Sequence, residues 1–561
     1  MLRSPMADVT AGGSERMDAM FPKLSATQIA RLRPIARLRR FTAGEVIYER
    51  GSSKRAFYVL LDGRGEITSP ARSGDERITV HGTGEFLGEV DMISGRHSLV
   101  QASALDASEL LEIDLAELRH IVQTDAELSE LFLRAFALRR AYLITNTLGG
   151  VVLIGSGHSA DTLRLKAFLV RNGHPHVYLD VERDSGVDAL LEHFRIGVGE
   201  IPVLMCKDRD RALRNPSNAE VATALGFNSA LDEGHVYDLV VVGAGPSGLA
   251  AAVYGASEGL DVLVLETSAP GGQAGSSSRI ENYLGFPMGI SGQELAGRAF
   301  LQAEKFGASL TVARAAAGLT CADRQLRVRC TDGGTVQGHA VVVASGAAYR
   351  KLSVPDLPRF EGAGVYYGAT RIEAQLCSGE EIVVVGGGNS AGQAAMFLSG
   401  IARHVHLLVR GAGLADSMSH YLVQRIDESP AITLRPYTQI EALEGDGRLE
   451  RVWWRSARAG EREGRDIRHV FSMTGAVANT AWLGGCVTLD GPRFVKTGAD
   501  LTPEDLEAAR WPLRRRPYQF ETSLPRVFAV GDVRSGSMKR VASAVGEGSA
   551  AVQLVHRVLA E

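Results

Sequence analysis

The stretch YDLVVVGAGPSGLAAAVYGASEGLDVLVLE, residues 237–266, decides the fold of this chain. An apolar segment runs directly into Gly243, Gly245 and Gly248, an alanine-rich segment follows, and a second apolar segment ends on Glu266. This order is typical of a strand, a tight turn, a helix and a second strand, in which the glycines bring backbone N–H groups close to a pyrophosphate. The stretch therefore predicts a βαβ unit that binds a dinucleotide.

The acidic end of this stretch and the residues of its turn are the predicted ligand contacts. An acidic residue at the position of Glu266 accepts hydrogen bonds from the ribose of an adenosine dinucleotide that lacks a 2′-phosphate. The helix N-terminus carries a partial positive charge and would face the phosphates. The contacts predicted from this unit are Gly243, Gly245, Pro246, Ser247, Gly248 and Glu266.

The length and the net charge of the chain limit the number of domains and the kinds of partner that can be expected. A chain of 561 residues predicts several domains, because single cores rarely grow beyond about 250–300 residues. The net charge of −4 gives no indication of a nucleic acid or an anionic membrane as partner. No apolar run of signal-peptide or membrane-spanning type is present, so a cytoplasmic protein is expected. The five cysteines form no C-x-x-C pair, so no metal site is predicted.

The N-terminal part predicts a small β domain. Residues 1–20 are expected to be a disordered leader. Residues 41–113 consist of short segments that each end in Gly or Asp, which predicts an antiparallel β-roll. A single helix is expected from Leu115 to Ile144, capped by Asp114. Residues 21–148 resemble the cyclic-nucleotide-binding domain of bacterial regulators in this order of roll and helix.

The ligand of this β-roll is less well defined. The segment FLGEVDMISG resembles the start of the family's phosphate-binding cassette, which implies that Gly88 and Glu89 hold a ribose. The arginine that holds the cyclic phosphate in the family is replaced by Ser98, and the nearest basic residue is Arg96. A buried phosphate without a guanidinium loses a charge-assisted contact. A structural roll is therefore favoured over a cyclic-nucleotide sensor, which stays open.

Residues 149–228, called the middle region below, alternate strands and helices and then form a hairpin. With Pro202 at the start of the third strand, this order resembles the thioredoxin/glutaredoxin fold. The resemblance implies that the proline is cis and faces a dithiol at the first helix N-terminus. The corresponding turn here is Gly157–His158–Ser159–Ala160, so disulfide exchange is not expected. Cys206 is predicted to be a strand residue in the core.

The C-terminal half contains further motifs in a recognisable order. A glycine loop follows Glu266, a strand ends in ASG before residue 347, and the segment VFAVGDVRSGSMKRVA lies near the C-terminus. Together with the first βαβ unit these motifs resemble the low-molecular-weight thioredoxin reductases, which are FAD proteins. The resemblance implies an FAD domain formed by residues 235–350 and 480–561. Its implied additional contacts are Gly272, Gln273, Asn282, Ser345, Gly346, Gly531, Asp532, Arg540, Val541 and Ala542.

A second Rossmann-like unit, EIVVVGGGNSAGQAAMFLSGIARHVHLLVR, covers residues 381–410. The resemblance implies an NAD(P) domain, residues 351–479, inserted into the FAD domain. Arg410 ends the second strand and would pair with a 2′-phosphate, which favours NADPH. NADH stays open because the family's neighbouring arginine is Gly411 here. The implied contacts are Gly386, Gly388, Asn389, Ser390, Ala391 and Arg410.

The sequence departs from the family at its redox centre. Reductases of this family carry Cys-Ala-Thr-Cys against the flavin, whereas Gly368 and Arg371 stand at the two cysteine positions here. Cys377 alone would need a partner with Cα atoms about 4.4–6.8 Å apart. Cys321 and Cys330 are predicted to be structural or free thiols. The catalytic residues are therefore unknown, and Arg371 is hypothesised to favour an anionic reduced flavin or to orient an acidic acceptor.

The sequence thus predicts a multidomain α/β protein with a β-roll, a thioredoxin-like domain and two nested Rossmann-like domains. Its predicted function is an NAD(P)H-dependent FAD oxidoreductase that passes electrons to a non-disulfide acceptor, such as a quinone, dioxygen or a one-electron carrier. One alternative is thioredoxin reduction by an unusual thiol path. Another is a flavin-based redox or nucleotide sensor. The resemblance implies a homodimer formed through the FAD domain.

Overall fold

The computed structural model describes residues 13–52, 56–71, 74–88, 92, 96–146, 150–184, 187, 191, 196–206, 211–228, 231, 232, 234–320 and 326–561. Within these ranges, no helix is long and apolar enough to cross a membrane. Glu89 and Cys321, two residues of the sequence interpretation, lie outside them.

The N-terminal region folds into two antiparallel sheets. Their orders are β1–β8–β3–β6 and β2–β7–β4–β5. The sheets and the last helix enclose an aromatic core in which Phe57 and Phe86 contact Phe132 and Phe136. The helices are α1 (Gly13–Met20), α2 (Ala26–Leu32), α3 (Leu115–Thr124) and α4 (Ala126–Thr145), and the strands are β1 (Arg37–Phe41), β2 (Val46–Tyr48), β3 (Phe57–Asp62), β4 (Gly65–Ala71), β5 (Gly74–His81), β6 (Phe86–Leu87), β7 (Gln101–Ala104) and β8 (Ser108–Ile113).

Two expectations for this region are wrong. Part of the expected disordered leader forms α1, whose last residue, Met20, is buried and accepts a hydrogen bond from Arg139 Nε at 2.9 Å. The single expected helix is broken at Asp125, which has extended backbone angles. The Asp125 side chain accepts a hydrogen bond from the backbone N–H of Leu128 and caps α4. An aspartate competes for backbone N–H groups in this way and favours a helix start over a helix interior.

The middle region has one four-stranded sheet of order β10–β9–β11–β12. Strands β9 and β10 are parallel, whereas β11 is antiparallel to both β9 and β12. The Ile201–Pro202 bond is cis. Cys206 ends β11 and packs, partly buried, against the core of this region. The elements are β9 (Val151–Gly155), α5 (Ala160–Arg171), β10 (Val177–Asp180), β11 (Val203–Cys206), β12 (Arg211–Arg214) and α6 (Asn218–Ala224).

The residues of the predicted FAD domain form a mixed sheet of order β15–β14–β13–β18–β17–β16, with β29 pairing with β18. Strands β13, β14, β15, β18 and β29 are mutually parallel where they pair, so their carboxyl ends share one edge. The elements are β13 (Val236–Val242), α7 (Pro246–Ser257), β14 (Val262–Leu265), α8 (Gly292–Lys305), β15 (Ser309–Thr311), β16 (Ala316–Thr320), β17 (Leu326–Cys330), β18 (Thr335–Val343), α13 (Pro503–Ala508), β29 (Val527–Ala529) and α14 (Val541–Leu559).

The residues between β18 and α13 form a second parallel sheet of order β20–β27–β21–β22–β23 and an antiparallel sheet of order β24–β25–β26. The antiparallel pair β19–β28 connects this part with the first sheet. The elements are β19 (Ala347–Tyr349), α9 (Leu357–Phe360), β20 (Val365–Tyr366), α10 (Arg371–Leu376), β21 (Glu381–Val385), α11 (Asn389–Ser399), β22 (His404–Leu408), α12 (His420–Glu428), β23 (Ile432–Arg435), β24 (Thr438–Glu444), β25 (Arg451–Ser456), β26 (Arg462–Arg465), β27 (Val470–Ser472) and β28 (Ala476–Ala478).

Candidate dinucleotide site

The turn between β13 and α7 tolerates only glycine at two positions. Gly243 has a φ of +107°, and a Cβ there would lie 2.3 Å from the Ala344 carbonyl oxygen. A Cβ on Gly248 would lie 1.8 Å from the carbonyl oxygen of Gly243. These contacts are between backbone atoms, which cannot move aside as a flexible side chain can. The glycines therefore let the N-terminus of α7 approach the edge of the sheet.

A cleft of about 610 Å³ opens at this edge, which is within the size range of cofactor sites. Fifteen of the predicted residues line it, namely Gly243, Gly245, Pro246, Ser247, Glu266, Gly272, Gln273, Asn282, Ser345, Gly346, Asp532, Arg540, Val541, Asn389 and Ser390. The sequence interpretation missed other lining residues, including Arg171, Tyr349, Gln393, Asn479, Trp482 and Lys539. The predicted residues that do not line it are Gly248, Gly531, Ala542, Gly386, Gly388, Ala391 and Arg410.

Glu266 lies buried on one wall of the cleft. Its Oε2 accepts a hydrogen bond from the Ala244 N–H at 2.8 Å, and its Oε1 accepts one from the Ser268 N–H at 2.9 Å. Burial raises the pKa of this carboxyl, and the two backbone donors oppose that rise. A carboxylate has about four acceptor positions, so two backbone bonds leave capacity for ribose hydroxyls.

The glycine loop after Glu266 packs directly against the first turn. A Cβ on Gly272, which has a φ of +53°, would lie 3.0 Å from the Cα of Gly245. Gln273 Nε2 donates a hydrogen bond to the Ala347 carbonyl. The opposing backbones of Gly245 and Gly272 therefore form a narrow cradle that a side chain would fill.

The C-terminal motif lines the same cleft. Burial raises the pKa of Asp532 and lowers that of Lys539, whose Nζ donates to the Asp532 carbonyl oxygen at 2.8 Å. The Gly531 N–H donates to Glu547 Oε2 at 2.7 Å, which fixes the turn before α14. Arg540 is the N-cap residue of α14 and is exposed.

The second glycine turn brings a second helix N-terminus to the same cleft. A Cβ on Gly386, with a φ of +144°, would lie 2.6 Å from the Met473 carbonyl oxygen. Gly388 is the N-cap residue of α11, whose first residues Asn389 and Ser390 line the cleft. Arg410 is exposed just after β22 and is not among the lining residues.

The stretch that contains Gly368 and Arg371 lies beside the cleft. Gly368 and Ala369 line a cavity of about 40 Å³ together with Gln273 and Tyr349, which also line the larger cleft. Arg371 is the exposed first residue of α10. Cys377 follows α10 and is fully buried.

The β-roll has a much smaller cavity. About 40 Å³ remains between Phe21, Tyr48, His81, Gly88 and Arg139 among its lining residues. The Arg139 guanidinium donates to the carbonyl oxygens of Phe86 at 3.1 Å and Gly88 at 2.7 Å.

The two residues considered for a cyclic phosphate face elsewhere. Arg96 Nη1 donates to the Asn172 carbonyl oxygen at 3.2 Å, and its guanidinium lies 5.0 Å from the ring centroids of both Phe227 and Phe300. Ser98 is buried and donates to the Val100 carbonyl oxygen. Arg96 therefore joins the β-roll to the middle region and the FAD domain.

The cleft fits FAD by its own features. A helix N-terminus, the Gly245–Gly272 cradle and the buried Glu266 carboxylate suit a pyrophosphate and a ribose. When bound, FAD would supply the redox chemistry, and the protein would position it.

Comparison with known proteins agrees with this geometry. The family model described as Pyridine nucleotide-disulphide oxidoreductase matches residues 237–548, more than half of the chain. The chain belongs to this family. A Cyclic nucleotide-binding domain model matches residues 38–125, which confirms the predicted identity of the β-roll as a domain.

The most informative relatives are thioredoxin reductases. The NADPH-dependent thioredoxin reductase 3 of Arabidopsis thaliana is 30% identical over 352 residues, which are 60% of this chain and 61% of that relative. The thioredoxin reductase of Mycolicibacterium smegmatis is 33% identical over 326 residues, 58% of this chain and 97% of that relative. The Lactococcus lactis thioredoxin reductase in its FR conformation matches with a TM-score of 0.52 and 25% identity, covering 58% of this chain and 99% of that one.

These matches confirm the predicted enzyme class, an NAD(P)H-dependent FAD oxidoreductase, and the predicted cofactors of the family, FAD and NADPH. The Rossmann-like FAD/NAD(P) fold of the C-terminal half is confirmed as well. The roles of individual site residues stay predictions, as do the domain boundaries.

Proposed function

We propose that this protein transfers hydride from NADPH to FAD and then passes the electrons to an acceptor that is not a disulfide. The observation that carries this proposal is the position of Gly368 beside the cleft, at the place where the sequence resemblance implies a cysteine. Gln273 and Tyr349 connect the two cavities, so a group at residue 368 would lie close to the flavin. Glycine there has no sulfur to accept electrons.

The described free cysteines offer no replacement. These are Cys206, Cys330 and Cys377, and the lining residues of the cleft include none of them. Burial raises the pKa of the Cys377 thiol to about 11, and that of Cys330 to about 11. Since the thiolate is the nucleophile in disulfide exchange, both residues would be poor relay groups at neutral pH.

Arg371 could serve the acceptor instead. Its position at the exposed start of α10 places a cation near the opening beside Gly368. A cation there would attract an acidic small molecule or a carrier with an acidic surface. An Arg371→Ala variant should therefore raise the KM for the acceptor while leaving flavin reduction unchanged.

Steady-state assays test the proposal directly. The wild type should oxidise NADPH in the presence of a quinone or dioxygen. The rate of Cys377→Ser should stay within about twofold of the wild-type rate, because residue 377 is buried outside the cleft. Thioredoxin disulfide should give no turnover. Thioredoxin turnover that disappears in a cysteine variant would overturn the proposal.

One observation favours the alternative thiol path. Cys486 is disulfide-bonded, and Trp482, on the same short segment, lines the cleft. If this disulfide accepted electrons from the flavin, Cys486→Ser would abolish thioredoxin reduction and leave quinone reduction intact. The same pair of assays therefore separates the two functions.

We also propose that the middle region is a thioredoxin-like domain that has lost its chemistry and serves as a structural bridge. Its sheet order supports the fold. Ser159, in the turn where a dithiol would stand, caps α5 by accepting a hydrogen bond from the Thr162 N–H. A structural role of the β-roll is supported by Arg96 and Ser98, which make contacts within the protein and do not line the cavity of the roll.

A homodimer through the FAD domain is the assembly we propose. An apolar groove of about 560 Å³ lies between α7, α8 and the start of α14. Near it, Leu284 is 93% and Met288 77% exposed, which is unusual for large apolar side chains. A second copy covering this face would bury them.

Light scattering tests the assembly. It should give a dimer for the wild type and a monomer for the double variant Leu284→Asp/Met288→Asp. A monomeric wild type would contradict this assembly.

A further inference from the structure

Arg171 brings a cation from the middle region into the dinucleotide cleft. It is the last residue of α5, and it lines the cleft together with Gly243, Glu266 and Gly272. Its Nη2 donates hydrogen bonds to the carbonyl oxygens of Gly272 at 3.0 Å and Ala269 at 3.4 Å. The guanidinium is therefore held against the glycine loop that forms one side of the cradle.

The guanidinium has bonding capacity left over. Within the part of the chain that the structure describes, Arg171 Nε is buried and has no hydrogen-bond partner. A buried donor without a partner destabilises the protein, so a ligand oxygen that accepted this hydrogen bond would be favoured. Arginine also presents several N–H groups in one plane, which suits phosphate oxygens.

A bound dinucleotide would bring negative charge close to the buried Glu266 carboxyl. Its pyrophosphate would carry two negative charges, and burial already raises the pKa of that carboxyl. Among the described lining residues, the other cations are Lys539 and Arg540 of the C-terminal motif, where Lys539 donates to the Asp532 carbonyl oxygen. Arg171 interacts electrostatically with Glu266. It is thus placed to offset both charges.

We propose that Arg171 is a binding residue of the FAD site and contacts the pyrophosphate or the adenosine ribose of the cofactor. The FAD site is then completed by the middle region, which lies outside the segment that the oxidoreductase family model matches. This inference rests on the assignment of FAD to the cleft.

Neighbouring contacts hold the end of α5 in place. Gln293 Nε2 donates to the Val170 carbonyl oxygen at 2.7 Å, and Asn172 Nδ2 donates to the Ser268 carbonyl oxygen at 3.2 Å. Both contacts join α5 to the FAD domain on either side of Arg171. A guanidinium positioned in this way loses little conformational entropy when the cofactor binds.

Reconstitution of the full-length apoprotein tests the proposal. FAD binding is followed by quenching of flavin fluorescence, and ADP, which carries the pyrophosphate and ribose without the flavin, is used as a competitor. Arg171→Ala should raise the Kd for FAD by about 10- to 100-fold, the effect of losing one charge-assisted contact. The affinity for ADP should fall by a similar factor, and Arg171→Lys should recover part of it.

Gln293→Ala is the matched control, because it removes a contact of α5 with the FAD domain without touching the cleft. Its FAD affinity should equal that of the wild type. An equal loss in Gln293→Ala would mean that Arg171 acts only by docking the domains, and unchanged FAD and ADP affinities in Arg171→Ala would also overturn the proposal. A wild type that binds no FAD would instead refute the assignment of the cleft.

Discussion

Arg410 is the residue on which the choice of nicotinamide cofactor depends. It lies exposed just beyond β22, the second strand of the unit that begins with β21, where a Rossmann fold meets the 2′ position of the adenosine ribose. A guanidinium pairs with a 2′-phosphate, whereas it gains little from a ribose hydroxyl. The exposure of Arg410 leaves it free to meet a phosphate from solvent.

Arg410→Ala should therefore weaken the binding of NADPH more than the binding of NADH. The expected rise in KM for NADPH is about 10- to 100-fold, since charge-assisted hydrogen bonds contribute about 1.5–3 kcal/mol. The KM for NADH should change little. Arg403, which precedes the same strand and pairs with Glu381 at 3.2 Å, provides the control, and Arg403→Ala should leave both values unchanged. Equal KM changes for the two nucleotides in Arg410→Ala would contradict this role.

Residues that belong to a local motif could be predicted from the sequence. Glu266 and Gly245 occupy the cleft because their positions follow from the spacing of one βαβ unit. Arg171 could not be predicted, because it reaches the cleft only when two distant chain segments pack together. Arg96 was considered for a phosphate because it lies within a cassette-like segment, but its side chain turns into a domain interface.

At the scale of elements, the position of α7 depends on the close approach of Gly248 to the backbone of Gly243. Gly248→Ala would place a Cβ on the Gly243 carbonyl oxygen, so the turn would have to shift and the cradle would open. We expect destabilisation of about 1–3 kcal/mol or more and a purified protein with little flavin. Thermal unfolding and the absorbance ratio of flavin to protein measure the two effects.

Gly297→Ala is the corresponding control within a helix. It lies inside α8, and a Cβ there meets nothing within 4 Å. Alanine at this position should stabilise the protein by up to about 1 kcal/mol and leave the flavin content unchanged. A Gly248→Ala protein with full flavin content would show that the close approach of α7 is not needed for binding.

Elements with strong periodicity or glycine motifs could be predicted from the sequence. The boundaries of these elements could be predicted less well. The expected helix from Leu115 to Ile144 has apolar residues at helical spacing on both sides of Asp125, so its periodicity gave no sign of a break. The break follows from the competition of one carboxylate for a backbone N–H. The helix α1 was missed because its composition is polar and its contact with Arg139 is long-range.

At the scale of the whole molecule, the middle region contacts both Rossmann-like parts. Asn228 exchanges hydrogen bonds of 2.8 Å with the backbone of Val312 in the FAD domain. Leu163 packs against the core of the NAD(P) domain, and a Cβ on Gly362 would lie 2.6 Å from Ala160 Cβ.

A direct ion pair of 2.8 Å between Arg425 and Glu281 adds a further link between the FAD and NAD(P) domains. Together with the contacts of the middle region, this ion pair joins the two Rossmann-like parts in the arrangement that the structure describes.

The most direct measurement is anaerobic rapid mixing of the FAD-loaded protein with NADPH, followed by mixing of the reduced protein with thioredoxin disulfide, a quinone or dioxygen. Flavin absorbance reports both steps. The account predicts rapid loss of flavin absorbance with NADPH and its return with a quinone or dioxygen but not with thioredoxin. Return of the absorbance with thioredoxin disulfide alone, or no reduction by either NADPH or NADH, would contradict it.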